Sequence, residues 1–165
     1  MNIIQYETNV LFYKIYKSIT RPEDYMNWSY SMIANGLESK SLLMLSSMNI
    51  SENIFIFEDY FNKSFSEVML NKPTFVESAR SYIAFLCSEI VNKKRDVFEV
   101  TKEIFKIIVD LEYSDDLSVW IELDDNVDWI YCDNKALKQE ESVVRQLIID
   151  EAKRYLVTQE VEDFA

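Results

Sequence analysis

One glycine and two prolines in 165 residues leave this chain few means of turning sharply. Tight hairpins, phosphate-cradling loops and sandwich corners all draw on residues that accept positive φ or preset a turn. Helices joined by short polar turns need few of them. With 48% hydrophobic and 14% aromatic residues the chain can furnish a core, and a single domain of this length buries roughly 70% of its unfolded surface. The expectation is an all-α, single-domain irregular multi-helix bundle or set of stacked helix pairs over residues 1–165, with about seven to eight helices by apolar periodicity.

Residues 3 to 19 place Ile3, Tyr6, Val10, Tyr13 and Lys17 on one line, a helical spacing. "TRPE" then reads as a capping box in which Thr20 caps and Glu23 reaches back, with Pro22 in the first turn. The helix it opens runs through Tyr25, Trp28, Met32 and Ile33. Gly36 falls where a helix ends in a left-handed residue, and Leu37 follows as the apolar contact of a Schellman ending. Ser39 caps a short helix whose Leu42, Leu43 and Leu45 are expected to pack inward.

From Ile54 the positions Phe57, Phe61, Phe65 and Val68 trace one apolar face, and Pro73 is expected to end that helix. "TFVE" at Thr74 to Glu77 makes a second box. The helix after it carries Val76, Ala79, Ile83, Leu86 and Ile90 and closes at "NKKR", a cationic run suited to the negative end of the macrodipole. "DVFE" at Asp96 to Glu99 opens the next helix, with a stripe of Val97, Val100, Ile104, Ile107, Ile108 and Leu111. "SDDLSVWIEL" begins a short helix capped by Ser114. A last helix from Ala136 turns Val144, Leu147, Ile148, Ala152 and Tyr155 to the core, with Glu151 and Arg154 on its margin, and residues 159–165 are expected to fray.

The charge is uneven. The formal net charge is −12, and nine acids with no base lie between Lys106 and Lys135: Asp110, Glu112, Asp115, Asp116, Glu122, Asp124, Asp125, Asp128 and Asp133. That opposes nucleic-acid backbones and anionic membranes, whose binding needs clustered Lys and Arg. No apolar run approaches the ~18 residues of a membrane span, and the N-terminus has no basic region ahead of an apolar core, so a cytoplasmic location is expected. Cys87 and Cys132 lie in different elements without CxxC spacing and are expected to be free thiols.

Asp124, Asn126 and Asp128 match the first three oxygen positions of an EF-hand, but Trp129 stands where the sharp turn requires Gly and Lys135 where the bidentate Glu belongs. A looser divalent-cation site stays open. The chain has no histidine, which removes Ser-His and Cys-His nucleophilic systems and histidine-based zinc sites. One glycine cannot form a Walker or GxGxxG motif. Paired carboxylates for glycoside hydrolysis need a cleft that an acidic run does not itself supply. No cofactor and no catalytic residue are expected.

Aromatics interleaved with acids suit a docking surface for a basic protein, the rings anchoring and the carboxylates steering. Trp120, Trp129 and Tyr131 are the candidate anchors, and Glu122, Asp124, Asp125 and Asp128 supply the charge. The bland alternative has the indoles in the core and the acids as a solvated face.

The run "DYMNWSYSMIANGLESKSLLMLSSM", Asp24 to Met48, followed by "FEDYFNKSFSEVM" from Phe57 to Met69, resembles a pattern of small, uncharacterised bacterial all-helical proteins, some of them immunity-like. The likeness implies a helical fold and carries over no functional residues. Together these readings favour a non-enzymatic module binding a basic protein partner, an immunity protein covering a toxin surface being one form. The alternative is a structural or adaptor protein that uses an apolar face or homodimerises.

Overall fold

The structure, a computed structural model, describes residues 2–132 and 138–162, with side chains over 2–132 and 140–159. The described residues form eight α-helices and no strand: α1 (Ile3–Tyr16), α2 (Pro22–Ala34), α3 (Lys40–Ser46), α4 (Ile54–Glu67), α5 (Phe75–Val91), α6 (Val97–Asp110), α7 (Ser118–Cys132) and α8 (Lys138–Glu162), with a 3₁₀ turn at Asp115–Leu117. The packing divides into two compact units, Met1–Ser81 and Tyr82–Ala165, with α5 running through the division. Among the described residues no helix is long and apolar enough to cross a membrane.

In the first unit an aromatic core draws on four helices. Phe12 of α1, Tyr25 and Trp28 of α2, and Phe57 and Phe61 of α4 are buried with Met32, Leu42 and Leu45. Phe61 lies edge-on to Trp28 with ring centroids 4.9 Å apart and to Phe12 at 5.8 Å, arrangements favoured by the ring quadrupole. The buried polar atoms are spoken for, since Trp28 Nε1 donates to Thr8 Oγ1 at 3.1 Å, and Thr8 donates in turn to the Ile4 carbonyl. Glu67 of α4 accepts from the Ser41 amide and hydroxyl, tying α4 to the first turn of α3. Those bonds hold its carboxyl below the usual range.

Most helix starts follow their sequence signals. Ser39 accepts from the Leu42 amide, Asp96 from the amides of Phe98 and Glu99, and Thr74 and Glu77 make the reciprocal box. The box at α2 is displaced by one residue. Arg21, not Thr20, is the cap position, and its amide donates to Asp24, not Glu23, at 2.8 Å. Pro22 occupies the first helical position, which moves the third one to Asp24. Thr20 instead accepts a bond from the Tyr25 hydroxyl.

Helix ends hold the larger surprise. Gly36 (φ +84°) closes α2 with the Schellman pair, its amide bonding the Ile33 carbonyl and that of Leu37 the Met32 carbonyl. The same two bonds recur at Ser18, Lys93 and Glu112, all left-handed without being glycine. Met69 is left-handed as well, two residues past the end of α4. That helix therefore ends at Glu67, well before Pro73, which does not terminate it.

Three side chains expected in the core are about half exposed: Leu43, Val76 and Leu147. Leu42 and Leu45 share one face of α3, and Leu43 is turned a full residue away from it. Val76 sits at the edge of its stripe in the first turn of α5. On α8 the stripe centres on Val144, Ile148, Glu151 and Tyr155, so Glu151 is buried where Leu147 was expected. The Glu151 carboxylate is held by Arg154 at 2.5 Å. The helix also runs to Glu162, past the expected fray point at 159, while 163–165 and Ala136 lie outside the described residues.

Candidate functional site

In the second unit α6, α7 and α8 pack together around Val100, Ile104, Ile107, Ile108, Leu123, Val127 and Ile148, all buried. The expected short helix after Ser114 is instead a 3₁₀ turn followed by fifteen continuous residues of α7. Ser114 donates to Asp116 and makes no side-chain cap bond. Because α7 is unbroken from Ser118 to Cys132, Asp124 and Asp128 lie one turn apart with Asn126 turned away from both, and the three form no calcium loop. Among the described residues no group of three or more acids and thiols comes together to hold a metal ion.

Helical register sorts the seven candidate residues into two sets. Trp120 and Asp124, one turn apart, face the core at 1% and 4% exposure, so neither is a surface contact. The Trp120 Nε1 donor finds no hydrogen-bond partner among the described residues. Glu122, Asp125, Asp128, Trp129 and Tyr131 are exposed, Trp129 at 48%. Asp125 lies one turn before Trp129 and Glu122 one turn before Asp125, which makes a single outward stripe. Asp133, the last acid of the run, lies outside the described residues.

Lys102 of α6 explains the fate of the other two acids. Its Nζ stands 3.1 Å from Asp124 and bonds Asp128 as well. The contact to Asp124 is an ion pair without good hydrogen-bond alignment, for its nearer oxygen has no aligned donor. Burial pushes the Asp124 carboxyl above its ordinary value, and Lys102 only partly offsets it. Burial works against the Lys102 charge too, but the two carboxylates outweigh it and raise its pKa. A count of charges along the chain misses this lysine, because it lies before the acid-rich window and reaches it across a helix pair.

Beside this cluster Phe98 is buried under two neighbours. Tyr131 meets it edge-on with centroids 5.9 Å apart, and the Arg145 guanidinium stacks 4.1 Å from its ring centroid. Arg145 also pairs with Asp96 and Glu141, each at 2.9 Å. Tyr131 is thus partly engaged inside its own unit, while Trp129 points outward. Among the described residues neither Glu122 nor Asp125 has an ion-pair partner.

The remaining charged and thiol features read as structure. In the basic run, Lys94 pairs with Glu89 and Arg95 with Glu103. Both cysteines are free, Cys132 exposed and Cys87 buried; burial pushes the Cys87 thiol up, and the charge of Glu151 adds to the effect. Comparison of the chain with family models, curated proteins and solved structures gives no match.

Proposed function

We propose that this chain is a non-enzymatic protein-binding module that docks a basic partner on the outward face of α7. The observation that carries the reading is the stripe of Glu122, Asp125 and Trp129, a half-exposed indole preceded by two carboxylates without a described counter-ion. Covering the exposed half of an indole returns roughly 2 kcal/mol. The carboxylates supply charge complementarity, which speeds encounter more than it deepens affinity. Asp128 contributes less, since it already pairs with Lys102, and Trp120 and Asp124 take no part.

An immunity role, covering a cationic surface of a toxin, is the form suggested by the sequence resemblance over residues 24–69. Affinity capture from the native host with wild-type bait and with E122K/D125K bait tests the docking reading. A basic protein held by the first and lost from the second supports it; equal capture by both removes it.

A second reading, an adaptor or homodimer built on an apolar face, draws on Val143 and Leu147. They lie one turn apart on α8 and are both about half exposed. Light scattering across a concentration series separates it from the first.

A further inference from the structure

We propose that two copies of this chain pair antiparallel through the outward face of α8, with Asp150 of each copy set against Arg154 of the other. The inference is independent of docking on α7. It rests on the second reading above and goes further by giving that homodimer an orientation and a register.

The two faces of α8 serve different neighbours. Val144, Ile148, Ala152 and Tyr155 are buried in their own unit. A second set, Val143, Leu147, Asp150, Arg154 and Val157, follows alternating steps of four and three residues and is turned to solvent. Its apolar members are exposed at 55%, 49% and 58%, and the side chains of Asp150 and Arg154 at 60% and 56%. Steps of four and three are the heptad spacing by which one helix meets another in a coiled coil.

The order of residues along this face says what covers it. Laid against a reversed copy, Leu147 meets Val157 and Asp150 meets Arg154, and a twofold axis repeats each contact. Val143 prolongs the apolar seam at either end. A parallel pair would set Asp150 on Asp150 and Arg154 on Arg154, two like-charge layers, so the charges select the reversed orientation. Sliding the reversed pair by one heptad would set Asp150 on Leu147, or Arg154 on Val157, which fixes the register.

Both charged groups have capacity for the new contact. Arg154 uses two of its five N–H donors on Glu151. Asp150 accepts from Gln146 at 2.9 Å and stands 3.9 Å from Lys153, a distance that makes a weak pair. Around the axis each copy contributes Asp150, Glu151, Lys153 and Arg154, acids and bases in equal number. Three apolar side chains per copy and a reciprocal ion pair make a seam narrower than the roughly 800 Å² per partner of a standard interface, so the dimer is weak and dissociates on dilution.

The test is sedimentation equilibrium of the full chain from roughly 5 to 500 μM, the range in which a weak dimer dissociates. Asp150→Arg is expected to weaken association by at least about tenfold, because it faces Arg154 twice. Adding Arg154→Asp in the same chain reverses both pairs and is expected to restore association. Arg154 also holds Glu151, so circular dichroism checks that this double variant is folded, and a disulfide arm decides the register if it is not. In a Cys132→Ser background, an equal mixture of Leu147→Cys and Val157→Cys chains is expected to form the mixed disulfide under mild oxidation. Either chain alone should not cross-link, since its two thiols would lie about 15 Å apart along the helix axis. A dimer that ignores Asp150→Arg, or one in which Leu147→Cys chains cross-link to themselves, overturns the register and leaves the homodimer reading standing. A monomer at every concentration, with no mixed disulfide, removes the homodimer reading as well.

Discussion

Lys102 Nζ stands 3.1 Å from Asp124, a carboxylate at 4% exposure one turn beyond the buried Trp120. The pair links α7 to α6 on the face that also buries Trp120, Leu123 and Val127. Removing one partner of a buried ion pair costs more than removing both, because the survivor keeps its desolvation penalty. Lys102→Met is therefore expected to cost about 2–3 kcal/mol in urea unfolding. Adding Asp124→Asn should recover most of that loss, and additive losses would show that the two do not interact.

The pH dependence has two opposed parts. Asp124 is raised in the folded protein by burial, so the folded state holds its proton more firmly than the unfolded chain does. Its contribution to stability falls as pH rises from the ordinary Asp value through the raised one, and Asp124→Asn should flatten that segment of the curve. Glu77 is lowered by the amide and hydroxyl of Thr74. At Asp96 burial opposes ionisation, but Arg145 and two backbone amides outweigh it and lower the pKa. The contributions of Glu77 and Asp96 are present above the ordinary carboxylate values and are lost as pH falls through the lowered ones. Unfolding curves across acid pH for wild type, Asp124→Asn and Glu77→Gln should give difference curves of opposite slope for the two variants.

Left-handed helix ends without glycine leave stability to be gained. A non-glycine residue in that region costs about 1–2 kcal/mol in backbone strain, partly recovered from the lower entropy of its unfolded chain. Lys93→Gly and Glu112→Gly should each raise stability by about 0.5–1 kcal/mol. Gly36→Ala should lower it by about 1 kcal/mol through φ alone, because an added Cβ would meet no atom within 4 Å. Thermal unfolding of the three variants checks the signs.

The helices were legible because apolar spacing marks them and the caps at α3, α5 and α6 agree with it. Ser39, Thr74, Asp96 and Gly36 each act as local chemistry requires. What local pattern does not carry is the phase of a helix against its neighbours. Leu147 and Glu151 exchange places on α8 for that reason, and Trp120 and Trp129, nine residues apart in one acidic run, end on opposite faces of α7. The site was half visible: the outward stripe is in the sequence, but Lys102, which takes Asp124 and Asp128 out of it, announces itself only across a helix pair.

The three indoles differ enough to be read in solution. Trp28 and Trp120 are buried and Trp129 is 48% exposed. Acrylamide should quench one class of emission readily and leave the rest protected, and Trp129→Phe should remove the quenchable, red-shifted class. Uniform quenching of all three would contradict the assignment of faces on α7.

The most direct measurement of the docking account is the association rate of the captured basic partner as a function of ionic strength, for wild type and for E122K/D125K. Steering by exposed carboxylates predicts that the wild-type rate falls steeply as salt rises, because screening shortens the reach of the charges. The variant should associate more slowly at low salt and with a flatter dependence. Equal rates and equal slopes for the two proteins would contradict it.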